Sequence, residues 1–131
     1  MFNAFLNLCF ANYYGFDKVA REVSASTAEY RGHLMCTQQV LLLTISLVYA
    51  VARALPHGSD LHFGVVIVAC LAAGVANYFG VLTSARYPAF RARVDGQPFA
   101  LKFGLVLFSF ATTVAAIPGL IWLMDRYYHP V

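Results

Sequence analysis

The stretch FGVVIVACLAAGVANYFGVLT, residues 63–83, decides the fold, because it contains no charged side chain. At a rise of about 1.5 Å per residue, a helix of this length crosses a hydrocarbon core of about 30 Å. Two more apolar stretches of similar length, residues 36–55 and 103–124, contain no Asp or Glu. The sequence therefore predicts an all-α membrane protein, a bundle of three transmembrane helices that forms one integral membrane domain over residues 1–131.

The amino-acid composition is typical of a membrane protein. Hydrophobic residues make up 60% of the 131 residues and charged residues only 11%, whereas soluble domains carry about 25% charged residues. The net charge of +3 is too small and too dispersed to indicate a nucleic-acid partner. We therefore expect the lipid bilayer as a partner, no nucleic acid and no cofactor.

The basic residues are divided unequally between the two sides of the three spans. Seven lie in the N-terminal segment and in the loop between spans 2 and 3, and two, Arg53 and Arg126, lie on the other side. The seven are Lys18, Arg21, Arg31, Arg86, Arg91, Arg93 and Lys102. Since basic loops stay in the cytoplasm, we expect a cytoplasmic N-terminus, an extracytoplasmic C-terminus and residence in a bacterial inner membrane.

The first 35 residues are predicted to form a cytoplasmic or interfacial segment. Residues 2–16 are aromatic and uncharged but too short to span a membrane. Their apolar side chains at helical spacing favour an amphipathic helix on the inner leaflet; a helix packed on the base of the bundle, or partly inserted beside it, is the alternative. Residues 17–25 are polar, and Ser26 with Glu29 then resembles a capping box. This signal predicts one long helix from Thr27 to Leu55. The predicted apolar face consists of Phe2, Phe5, Leu6, Cys9, Tyr13 and Phe16.

Small residues recur at every fourth position in spans 2 and 3. Such repeats allow two backbones to approach closely, and close approach favours helix association in lipid. We therefore expect span 2 to pack against span 3, with Asn77 as a buried polar contact and a kink at Pro118. The expected packing residues are Ala72, Ala76 and Gly80 in span 2 and Ala111, Ala115 and Gly119 in span 3.

Two groups of residues are weak candidates for a metal site. His57, Asp60 and His62 are close together in the loop between spans 1 and 2, and imidazole with carboxylate is a common ligand set. Short polar loops often contain such residues without binding a metal. A second series, Glu29, His33 and Cys36, occupies one helical face and could form half a site or only an ordinary surface.

The loop between spans 2 and 3 contains four basic residues interleaved with aromatic residues. Retention of this loop in the cytoplasm explains them adequately. The alternative is contact with lipid headgroups of the inner leaflet or with an acidic partner. The four residues are Arg86, Arg91, Arg93 and Lys102.

No catalytic motif or carboxylate lies within the three spans, so proton-coupled transport is not expected. We expect a non-catalytic accessory or scaffold subunit that packs against other membrane protein subunits. An immunity-type protein that binds a pore-forming toxin within the membrane is the alternative. A small oligomeric transporter or channel is a third possibility, and it would need a polar lining. The residues considered for that lining are Thr44, Ser46, Asn77, Ser109, Thr112 and Thr113.

The predicted topology can be tested with reporter fusions. A fusion after Val131 should report an extracytoplasmic position, and a fusion within residues 94–97 a cytoplasmic one. Neutralising Arg86, Arg91 and Arg93 together should randomise the orientation, because the basic bias falls from seven against two to four against two. A cytoplasmic C-terminus in the unmodified chain would contradict the prediction.

Overall fold

The computed structural model describes residues 1–54 and 63–128 of the chain. A 3-10 turn (Ala25–Thr27) joins the first two helices, and a π-helical turn (Tyr78–Leu82) extends the third. Within the described ranges there is no strand, which confirms the all-α prediction. The helices are α1 (Phe2–Val23), α2 (Ala28–Ala54), α3 (Phe63–Asn77), α4 (Tyr87–Asp95), α5 (Phe99–Ala115) and α6 (Ile117–Tyr128).

Three stretches of helix are long and apolar enough to cross a membrane, as predicted. They are Ala25–Ala54, Phe63–Leu82 and Phe99–Trp122. The first begins well before residue 36, because the polar residues that precede the apolar run are already helical. This agrees with the prediction of one long helix from Thr27.

The third span contains the kink predicted at Pro118. Helix α5 ends at Ala115 and α6 begins at Ile117, on either side of a fully buried Ala116. Proline has no backbone N–H, and its ring clashes with the preceding turn, so the helix restarts here. The restarted helix packs on α2, where the rings of Trp122 and Tyr49 lie 4.8 Å apart.

Helix α1 is longer than predicted and is part of the bundle. It runs to Val23, so residues 17–23 of the polar stretch are helical as well, and it packs against both α2 and α5. Within its predicted apolar face, Tyr13 and Phe16 are buried, whereas Phe2 and Phe5 are exposed. The second half of α1 thus packs on the bundle rather than lying only at an interface, and the first turns remain free to meet lipid.

Hydrogen bonds from side chains, two of them to backbone carbonyl oxygens, join α1, α2 and α5. The Gln39 amide nitrogen donates to the Ser109 carbonyl oxygen and to the Thr113 hydroxyl, each at 3.1 Å. The Gln39 amide oxygen accepts a hydrogen bond from Asn12 at 2.6 Å, and the Ser109 hydroxyl donates to the Asn12 carbonyl oxygen at 2.6 Å. One glutamine therefore links three helices.

The main aromatic core lies where α1 meets α2, α4 and the π-helical turn. The Tyr87 ring from α4 lies 4.5 Å from the Tyr13 ring and 5.8 Å from the Phe10 ring, both from α1. The buried residues of this core are Phe10, Tyr13, Tyr14, Phe16, Cys36, Val81, Leu82, Tyr87 and Val94. This end of the bundle is therefore the best packed, and it contains the charged residues described below.

The packing of span 2 differs from the sequence expectation. Helix α3 packs against α2 rather than against α5 and α6, which contact α1 and α2 instead. Asn77 is buried, but its side-chain oxygen accepts a hydrogen bond from the Cys36 thiol of α2 at 3.9 Å. The expected contact residues Ala72, Ala76, Ala111 and Ala115 are exposed, and a Cβ built on Gly80 would meet no atom within 4 Å. The physical reason is that α1 packs on α2 and α5, where its polar side chains find hydrogen-bond partners.

Small residues do permit close approach, but at other positions. A Cβ on Gly15 of α1 would collide with the Ser109 hydroxyl and lie 2.9 Å from the Leu105 carbonyl oxygen. A Cβ on Gly119 of α6 would collide with the Ser46 hydroxyl. Gly119 is therefore a packing residue as expected, although its neighbour is α2 rather than span 2.

Candidate functional site: a charged cleft between α1, α2 and α4

Four charged side chains, Asp17, Arg21, Arg91 and Asp95, meet at the end of the bundle where α4 lies against α1. Helix α1 presents Asp17 and Arg21 one turn apart, and α4 presents Tyr87 and Arg91 at the same spacing. Residues four positions apart share a face of a helix. Helix α1 therefore directs one acceptor, Asp17, and one donor, Arg21, toward α4, and α4 directs two donors, Tyr87 and Arg91, toward α1. Pro88 in the first turn of α4 favours a helix start at this point.

Asp17 is the centre of the cluster and is only 4% exposed. Its carboxylate accepts a hydrogen bond from the Tyr87 hydroxyl at 2.8 Å. The guanidinium groups of Arg21 and Arg91 lie 3.4 Å and 3.9 Å from the same oxygen. A buried carboxylate is costly unless it is paired and hydrogen-bonded, and these three groups meet that requirement.

A second carboxylate extends the cluster toward the surface. Asp95, at the end of α4, accepts a hydrogen bond from the fully buried Tyr14 at 2.7 Å. The Arg21 guanidinium lies 3.8 Å from the Asp95 carboxylate, so it bridges the two acids. Helices α1 and α4 are thus joined by two tyrosine–carboxylate hydrogen bonds with two arginines between them.

Both tyrosines of the cluster remain protonated donors over a wide pH range. Burial, followed by the charge and hydrogen bond of Asp17, raises the pKa of Tyr87 far above its ordinary value. Burial and the hydrogen bond to Asp95 raise the pKa of Tyr14 to about 12. Neither hydroxyl is therefore suited to act as a base, and both are suited to hold a carboxylate in place.

A cleft of about 530 Å³ opens beside this cluster. Its walls include Asp17, Arg21, Tyr87 and Arg91, and α2 adds Glu29 and His33 on the opposite side. The His33 ring lies 5.6 Å from the Tyr13 ring. The volume suits a small polar molecule, but the two arginines are already engaged with carboxylates of the chain. The arrangement is better suited to joining helices than to presenting a reactive group.

The structure separates the residues of the second metal candidate. Glu29 and His33 line the cleft, whereas the Cys36 thiol is buried against Asn77. Across residues 1–54 and 63–128, no three His, Cys, Asp or Glu residues are placed to hold a metal ion together. The first candidate, His57, Asp60 and His62, lies outside the described residues.

The four basic residues of the loop between spans 2 and 3 have different roles. The Arg91 side chain, 44% exposed, lies 3.9 Å from the Asp17 carboxylate, and Lys102 donates to the Asp95 carbonyl oxygen at 3.5 Å. Arg86 and Arg93 instead line a separate groove beside the first half of α1. Contact of the four residues with lipid or with a partner stays a prediction.

Sequence reasoning missed Asp17 and Gln39, the two polar residues that organise the bundle. The charges of residues 17–25 indicated only a polar stretch. The available signal was the spacing of Asp17 and Arg21 on a helical face that continues the apolar positions Tyr13 and Phe16. For Gln39 the signal was its place within an apolar span, where a polar side chain needs a partner.

Comparison with protein-family models, with curated proteins and with solved structures found no match to this chain.

Two Tyr→Phe substitutions measure how much the Asp17 cluster contributes to the free energy of unfolding. Tyr87→Phe removes a donor from a buried carboxylate and should lower the free energy of unfolding by about 1–3 kcal/mol. Tyr14→Phe should cost less, about 0.5–1.5 kcal/mol, because the Asp95 side chain is 42% exposed and water can replace the hydroxyl. Thermal unfolding in a mild detergent gives both values, and a larger loss for Tyr14→Phe would contradict this account.

Proposed function

We propose that this chain is a non-catalytic accessory or scaffold subunit that packs, within the bilayer, against another membrane protein. The observation that carries the proposal is the exposed small-residue face of span 2. Ala72, Ala76 and Gly80 recur at every fourth position, yet Ala72 and Ala76 are exposed and Gly80 has open space at its Cβ position. Residues 1–54 and 63–128 leave this face uncovered.

Small residues matter in lipid because apolar surface alone does not drive helices together. Close backbone approach and interhelical hydrogen bonds do so, and the chain uses both internally, at Gly15, Gly119 and Gln39. The face of α3 has the same composition, and no helix among the described residues covers it. We infer that a helix of another subunit packs there.

The interior of the bundle favours a structural role over transport. Of the residues considered for a polar lining, Ser109 donates its hydroxyl to the Asn12 carbonyl oxygen, and the Thr113 hydroxyl accepts a hydrogen bond from Gln39. Thr44 and Thr112 donate to carbonyl oxygens one turn earlier in their own helices. Hydroxyl groups engaged in this way stabilise helix packing and are poorly placed to coordinate a passing solute.

The charged cleft likewise favours joining helices over catalysis. Asp17, Arg21, Arg91 and Asp95 bind one another, and Tyr87 and Tyr14 are held as hydrogen-bond donors. Acid–base chemistry requires a group poised to exchange its proton. The proposal keeps the orientation given by the basic residues, with the N-terminus and α4 on the cytoplasmic side of a bacterial inner membrane.

The proposal predicts that Ala76→Leu weakens association while leaving the fold of the chain unchanged. A bulky side chain on the exposed face would hold the partner helix away, and losing about 1.4 kcal/mol of contact energy lowers affinity about tenfold. The matched control is Leu71→Phe, which adds bulk at an exposed position of the same helix that does not share the face of Ala76. The measurement is the amount of partner that co-purifies with each variant in a mild detergent.

A photo-crosslinking residue at position 76, compared with exposed position 71 on another side of the same helix, identifies the occupant in native membranes. An adduct with a second, larger protein at position 76 only would support the proposal. An adduct of two copies of this chain would contradict it, as would a wild-type chain that purifies as a monomer without crosslinks. An adduct with a pore-forming toxin would favour the immunity-type alternative.

A further inference from the structure

A groove of about 390 Å³ lies between the first half of α1 and helix α4. Asn3 and Asn7 line it from α1, and Arg86 and Arg93 line it from the α4 side. From this geometry we propose that the groove binds the phosphodiester headgroup of an anionic phospholipid. This site is separate from the exposed face of α3 and does not depend on the proposed function.

The two arginines of the groove differ from the other arginines near it. Arg21 and Arg91 are each within 4 Å of a carboxylate, whereas no ion pair within the described ranges involves Arg86 or Arg93. No carboxylate lines the groove. Two uncompensated positive charges that face one groove favour an anionic occupant.

The donors of the groove match the acceptors of a phosphate. Guanidinium groups bind phosphate oxygens through paired N–H donors. The Arg93 guanidinium lies 5.6 Å from the centre of the Phe90 ring, a cation–π contact that holds it beside the groove. Asn3 and Asn7 lie one turn apart on α1, so both carboxamides can donate hydrogen bonds to the same ligand.

The surroundings of the groove favour a lipid over a soluble phosphate ester. Its wall includes the apolar rings of Phe10 and Phe90, whose centres are 5.6 Å apart. Phe2, Phe5 and Leu8 of the same stretch of α1 are exposed. Helix α4 also connects the end of span 2 to the start of span 3, which places it at the depth of lipid headgroups. Acyl chains can therefore lie on the exposed apolar residues while the phosphate enters the groove.

The test is a lipid titration of the purified full-length chain in a mild detergent. Phosphatidylglycerol is compared with phosphatidylcholine of the same acyl chains, and binding is followed by native mass spectrometry. We expect saturable binding of phosphatidylglycerol that is at least about tenfold tighter, since charge-assisted hydrogen bonds of this kind distinguish ligands by about that factor. Equal affinity for the two lipids would overturn the proposal.

Variants then locate the site. Arg86→Gln with Arg93→Gln should weaken phosphatidylglycerol binding about tenfold or more, and Asn3→Ala with Asn7→Ala should weaken it without any change of charge. Arg31→Gln is the matched control, because Arg31 is an exposed cation of the same N-terminal segment outside the groove. An equal loss with Arg31→Gln would mean diffuse attraction and would overturn the proposal.

A competition experiment separates the two sources of a phosphate group. Glycerol 3-phosphate at millimolar concentration should not displace phosphatidylglycerol, because it lacks the acyl chains that contact the apolar residues of α1. Full displacement would assign the groove to a soluble phosphate ester and would overturn the lipid assignment. Unchanged thermal unfolding of the variants, whose substituted side chains are all exposed, excludes a loss of fold as the cause.

Discussion

The amide of Gln39 is the constraint on which the arrangement of the helices depends. It is 2% exposed and lies within the span Ala25–Ala54, as Ser109 does within the span Phe99–Trp122. A buried amide is shielded from water, so its polar groups must find partners within the protein. Gln39 finds them on α1 and α5 together, which fixes the position of α1 along both spans.

The position of α1 in turn determines where the charged residues meet. With Asn12 held by Gln39, the next turns of α1 bring Asp17 and Arg21 to the end of the bundle. There Asp17 binds Tyr87 and Arg91, and this attachment orients α4. The same attachment sets the directions of the three arginines in and next to α4. Arg91 points toward Asp17, and Arg86 and Arg93 point toward the first half of α1.

The features of the fold that depend on local sequence were predictable. Three apolar runs define the spans because their length matches the bilayer, and Pro118 breaks a helix wherever it occurs in one. The long helix that begins before Cys36 could also be predicted, because no proline interrupts it before Pro56.

The choice of neighbours was not predictable from the same information. A small-residue repeat indicates that a helix can be approached closely, but not which helix approaches it. Ala76 and Ala115 therefore suggested a contact between spans 2 and 3 that the bundle does not form. Polar residues determine which helices become neighbours, since an unpaired amide in lipid costs more than a lost apolar contact. The charged residues of α1 also made the second half of that helix look unlike part of a membrane bundle.

The most direct test of this account compares Gln39→Leu with Gln38→Leu in thermal unfolding and amide hydrogen exchange. Gln38 is exposed and serves as the matched control, since it carries the same side chain on the adjoining face of α2. Gln39→Leu leaves the partly buried Asn12 amide without this partner and should lower the free energy of unfolding by about 1–3 kcal/mol, with faster exchange in α1. Gln38→Leu should change neither. Equal stability of the two variants, with unchanged exchange in α1, would contradict the claim that Gln39 holds the bundle together.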